Sequence, residues 1–282
     1  MTPQWTGALV LGGGGPVGAS WTSALVHGLR SAGLPTADVV LGTSAGAVVG
    51  AWLTTSPDDL PALPEKMRAR AAWHAANAVA GYGDKSLLLL RAVSASTPDP
   101  EAAMAIGRAA ISAIPPISTT TASDLWRAAL PEAPWSPRLG VVSVNVGTGL
   151  ARVWTANDGL PLAVAVACST AAPGAAPPVA VADSLWIDGG VRSGTNADLL
   201  TTPPGPVLVV APILSAALAR EEAVLTERGH HVRVITANPF YRQPTDLLDL
   251  AYVDIAAAAG AKQAHDIAED LLAWWDAPAG GL

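Results

Sequence analysis

The sequence predicts an α/β protein: a mostly parallel central sheet with helices on both faces, a three-layer α/β/α sandwich. Two successive strand–glycine turn–helix units open the chain, and short all-apolar runs return beyond residue 139. Between them lies a long alanine-rich stretch without strand character. Strands covered on both faces read as continuous apolar runs, not alternating ones, and these runs have that form.

Residues 8–11 (Ala-Leu-Val-Leu) make the first strand and end in glycines; residues 17–32 make a helix closed by Gly33. The next strand, 39–41, runs straight into Gly42-Thr43-Ser44-Ala45-Gly46 and a helix through about residue 53. Ser56-Pro57-Asp58-Asp59 is a helix start, with a capping serine, a first-turn proline and acidic residues that suit the helix dipole. Helical stretches follow at 65–80, 87–95 and 100–114, so 56–134 reads as a helical insertion or lid beside the sheet. Strands are expected at 139–146 and 150–155, a helix at 160–168, irregular chain at 171–178, and a strand at 184–187 leading to Asp188. The remainder reads as strand 207–210, helix 215–228, strand 232–235 and a long helix 245–275. No fixed-period repeat is present, and the 282 residues suit one domain spanning 1–282.

Composition narrows the function. Half the residues are hydrophobic and 14% charged, enough for a sizeable core. A net charge of −7 argues against nucleic-acid binding and against electrostatic docking on anionic lipid. Any membrane-surface contact is therefore expected to be transient and apolar. The single cysteine, Cys168, excludes an intrachain disulfide. No basic residue precedes the first apolar run, and prolines break the uncharged stretch 159–182. A soluble, cytoplasmic protein without metal or cofactor is expected.

Three segments carry chemistry. A serine hydroxyl is a weak nucleophile unless a tight turn exposes it and a base touches it; Gly42 and Gly46 give the clearance for such a turn at Ser44. Gly13, Gly14 and Gly15 offer backbone N–H groups at a helix start, where they converge on negative charge, and Ala45 offers another. Gly13-x-Gly15-x-x-Gly18 also satisfies a dinucleotide fingerprint. That fold wants an acidic residue at the end of the second strand, and here the strand runs into Gly42 instead. Asp188, followed by Gly189-Gly190, ends a strand and can reach a serine directly. Asp158-Gly159 reads as a turn or cap.

A serine–acid–histidine triad would draw on His230 or His231. In the α/β-hydrolase order, however, several strands precede the one that carries the nucleophile, and here one does. His27, His74 and His265 suggest no metal spacing. Ten tryptophans against one phenylalanine are unusual; Trp73, Trp126 and Trp135 fit either a lipid-facing rim or ordinary packing, as do Trp274 and Trp275.

With those residues in place, the chain resembles the patatin-like phospholipase family of lipid acyl hydrolases. The likeness runs from Leu9-Val10-Leu11-Gly12-Gly13-Gly14-Gly15 through Gly42–Gly46 to Asp188-Gly189-Gly190, and includes Ala167-Cys168-Ser169-Thr170-Ala171-Ala172-Pro173. It implies a patatin-like fold, a Ser44–Asp188 dyad, an oxyanion hole around Gly13–Gly15, and acyl-ester cleavage without a metal. Two departures bear on the substrate. Val17 stands where the family often has a basic residue, and Val191-Arg192-Ser193-Gly194-Thr195-Asn196-Ala197-Asp198 replaces the commoner asparagine–proline continuation. An acyltransferase on the same dyad, or a lipid- or nucleotide-binding module without catalysis, are the alternatives.

Overall fold

The computed structural model describes residues 6–76, 96–238 and 240–277. Among them, eight strands form one sheet. Five run parallel in the order β3 (Leu139–Asn145), β2 (Val39–Thr43), β1 (Ala8–Leu11), β7 (Pro206–Ala211), β8 (His231–Thr236). β4 (Ala151–Trp154) and β6 (Ser184–Asp188) pair antiparallel with β3, and β5 (Val179–Val181) extends β6.

Alternate residues of each parallel strand feed two cores. Leu9, Leu11, Val40, Leu139, Leu208 and Val210 pack beneath α1 (Gly15–Ser31), α2 (Ala45–Thr55) and α8 (Val253–Asp276). Ala8, Val10, Leu41, Val142, Val207 and Val209 face α7 (Ala217–Glu227) through Leu218 and Leu225. This period-two division places helices on both faces of the sheet.

Within 56–134, the described residues form a 3-10 turn at Pro57–Ala62 and three helices: α3 (Leu63–Ala76), α4 (Pro100–Ala113) and α5 (Thr119–Arg127). Met67 of α3 and Trp126 of α5 join the α1 side; Ala103 and Ala110 of α4 pack on the other side with Val144 and Val146. The expected helix 87–95 lies outside the described residues. α6 (Leu162–Ser169) links β4 to the irregular chain before β5.

Two expectations are corrected. The helix expected from residue 245 begins at Val253, behind 3-10 turns at Pro244–Leu248 and Leu250–Tyr252. Asp246 accepts from the backbone N–H of Arg242 and Gln243, at 2.9 and 3.1 Å, and Asp249 from that of Ala251 at 3.0 Å. Asp246 thereby closes a capping box that starts the first turn, whereas Asp249, with an extended backbone, caps a second turn and takes an N–H that a continuous helix would use in its ladder. The second correction is a strand, Val179–Val181, directly after the irregular stretch; it is held by pairing with Leu185 and its neighbours.

Candidate active site

β3 brings the two distant segments together. Its residues 141–144 give one edge to β4, so β2 and β6 share the other edge end to end. Val142 pairs with Thr43, and the next residue, Ser143, pairs with Asp188. The residue before Ser44 and the aspartate are thus held one step apart on a common strand.

Ser44 occupies the turn between β2 and α2 with φ 53° and ψ −118°. A positive φ is strained for a residue with a Cβ, and here it is enforced from both sides. A Cβ on Gly42 would lie 2.7 Å from the Ala47 nitrogen, and one on Gly46 would collide with the Leu11 carbonyl. Only glycines let the chain cross itself this closely. The Ser44 N–H donates to Ser169 Oγ at 2.8 Å, and the Asp188 N–H to the Ala171 carbonyl at 3.1 Å. The end of α6 therefore braces both residues, a role of Ser169 that no local sequence signal carried.

Ser44 Oγ donates to Asp188 Oδ2 at 2.7 Å, and the Gly190 N–H donates to Oδ1 at 2.7 Å. Asp188 is buried, and burial pushes its carboxyl up to about 7, against the opposing pull of the Ser44 and Gly190 hydrogen bonds. Gly189 packs on the Val142 carbonyl, where a Cβ would approach to 2.7 Å.

The glycine loop lies against Ser44: a Cβ on Gly13 would sit 3.2 Å from that of Ser44. The Gly13 N–H itself donates to the Gly194 carbonyl at 2.8 Å. Gly14 caps α1 and packs, with Gly18, on Pro212. Gly15 opens α1 with φ 61°, beside the Leu247 carbonyl. Ala45 opens α2. The first N–H groups of a helix have no intrahelical acceptor, so α1 and α2 bring two such donor sets to the same place.

His230 and His231 are far from this point. His231 opens β8 opposite Pro206, five residue rows below Thr43 and three strands across. That is about 16 Å along the sheet and about 14 Å across it. His231 instead packs against Trp274, with ring centroids 4.7 Å apart and the planes tilted by 46°. Asp158 closes a capping box with Thr155 and pairs with Arg152 at 2.6 Å. Trp126 is buried in the core, and Trp135 is half-buried with its Nε1 on the Leu139 carbonyl; the Trp73 side chain lies outside the description. Among the described residues, no group of three or more His, Cys, Asp or Glu side chains is placed to hold a metal ion.

A family model described as patatin-like phospholipase matches residues 9–201, from β1 past the aspartate turn. The chain belongs to the patatin-like phospholipase family. No curated protein matches it. Among solved structures, VipD from Legionella pneumophila aligns with 95% of this patatin-like chain and 67% of its own, at a TM-score of 0.51 and 14% identity. The type III effector ExoU aligns with 94% of this chain, which spans 54% of that protein, at a TM-score of 0.36 and 14% identity. The VipD likeness concerns the fold. Family membership makes this patatin-like chain a lipid acyl hydrolase; its described helices include none long and apolar enough to cross a membrane.

Proposed function

We propose that the protein cleaves acyl esters of lipids with Ser44 as nucleophile and Asp188 as its base. The observation carrying this reading is the 2.7 Å hydrogen bond between Ser44 Oγ and Asp188 Oδ2 on a strained strand-to-helix turn. As Oγ bonds to the acyl carbon, its proton passes to Asp188, which then gives it to the departing alkoxide. Water, deprotonated by Asp188, attacks the acyl-Ser44 ester; Asp188 returns that proton to Ser44 Oγ as the fatty acid leaves.

The amides of Gly14, Gly15 and Ala45, at the starts of α1 and α2, are the oxyanion donors in this reading. Gly13 forms the close wall, since its N–H is already given to Gly194. A nucleotide-binding role fits less well, because the second strand runs into Gly42-Thr43-Ser44 where a dinucleotide fold wants an acidic residue. The protein as one domain, and a transient apolar contact with the membrane surface, complete the proposal.

A serine-reactive fluorophosphonate tests it. Wild-type protein is expected to label and to hydrolyse ester substrates. Ser44→Ala is expected to lose labelling entirely and turnover by about a thousandfold or more. Labelling that survives Ser44→Ala ends the reading.

A further inference from the structure

We propose that Asn196 is a positioning residue whose side-chain amide clasps the residue before Ser44 to the residue after Asp188, setting the dyad from behind. This rests on the Ser44–Asp188 reading above.

Asn196 is fully buried and holds a left-handed backbone, φ 54° and ψ 31°. Its Nδ2 donates to Thr43 Oγ1 at 3.2 Å, to the Gly189 carbonyl at 3.1 Å and to the Ser193 carbonyl at 2.8 Å. Its Oδ1 accepts from Arg192 Nη1 at 2.9 Å. Thr43 in turn donates its hydroxyl to the Thr195 carbonyl at 3.2 Å. Thr43 and Gly189 are the immediate chain neighbours of Ser44 and Asp188, yet the Asn196 amide bonds to neither dyad side chain.

The clasp is anchored independently. Glu221, buried on α7, accepts from Thr195 Oγ1 and from the Ala197 N–H at 3.1 Å, gripping the chain on both sides of Asn196. Arg192 and Arg220 both pair with Asp198, at 2.7 and 3.0 Å, and fix the outer end of the segment. Gly194, inside the same segment, takes the Gly13 N–H. One stretch of chain therefore meets the glycine loop, the nucleophile strand and the aspartate turn. A buried amide whose donors reach several backbones fixes relative position more stiffly than apolar packing.

Asn196→Gly tests this, since glycine keeps the left-handed backbone and removes only the amide. The readouts are kcat and KM on a water-soluble ester from pH 5 to 9, the melting temperature, and the Asp188 titration by isotope-edited infrared spectroscopy. A loosened dyad is expected to lower kcat about tenfold to a hundredfold with KM within about twofold. It is also expected to raise the Asp188 midpoint, because the Ser44 hydrogen bond that favours the carboxylate weakens. A lower melting temperature with unchanged kcat per folded molecule and an unmoved midpoint overturns the proposal.

If Asn196→Gly fails to fold, Thr43→Val removes one arm of the clasp, and the same two changes, smaller in size, are expected. Wild-type protein that neither labels nor turns over ester would end the hydrolase reading alone. The infrared midpoint would still decide Asn196: raised in the variant, it supports the clasp; unmoved, it refutes it.

Discussion

Asp188 sits where its two protonation states pull stability and catalysis in opposite directions. As the base of the proposed reaction, it must be ionised, and with its carboxyl at about 7 the value of kcat/KM is expected to rise with pH through that region and level off above it. Folding has the reverse dependence. The carboxyl titrates near its ordinary range when unfolded and higher when folded, so the native state binds the extra proton between roughly pH 4 and 7 and stability falls as pH rises across that window. Asp188→Asn, neutral at every pH, is expected to melt above the wild type at pH 8, with the gap closing by pH 5, while turnover falls at both. Thermal melts at the two pH values decide it. A variant that melts lower at pH 8 would show that the ionised carboxylate is well accommodated.

At the scale of elements, two helices of one layer meet at glycines. α1 and α8 cross where a Cβ on Gly260 would collide with the Trp21 carbonyl and one on Gly28 would lie 2.6 Å from that of Ala264. Trp21 Nε1 donates to Gln263 Oε1 at 3.2 Å beside this crossing, and Gln263 donates to the Thr236 carbonyl at 2.8 Å, tying both helices to the end of β8. Gly260→Ala is expected to cost about 1–3 kcal/mol by overpacking, read as a lower melting temperature, with phosphonate labelling per folded molecule unchanged. Much of this architecture was legible in residue order. The β1 and β2 units announce themselves because apolar run, glycine and helix lie within about a dozen consecutive residues of one another. The strand at Val179–Val181 and the 3-10 turns before α8 were not legible. A three-residue strand exists only through its partner, and the cap that Asp249 makes inside the expected helix is one of several places where a carboxylate could have taken a backbone N–H. The candidate site divides in the same way. Ser44, Asp188 and the glycines stand in short motifs, whereas the bonds of Ser169, Asn196 and Glu221 span 125, 153 and 26 positions, and nothing in the neighbouring residues names their partners.

At the scale of the whole molecule, parallel strands put all their C-terminal ends on one side, and Ser44 follows one of those ends. Among the described residues, the large exposed apolar side chains lie toward that side too. Leu214 follows β7, Leu150 sits in the turn after β3, and Ile255 stands in the first turn of α8, which runs alongside α1 from the same end. With a net charge of −7 the molecule has no general attraction for anionic lipid, so the proposed contact with a bilayer would have to come from apolar insertion. Leu214, 68% exposed and directly beyond the Pro212 that backs Gly14, is best placed to make it. Leu214→Asp is expected to lower turnover of a long-chain ester in zwitterionic vesicles about fivefold or more, since an aspartate resists entry into the headgroup boundary. A water-soluble short-chain ester, which needs no surface, is expected to turn over at the wild-type rate. Equal rates on vesicles would show that Leu214 does not touch the bilayer, and equal losses on both substrates would show that it acts on the site itself.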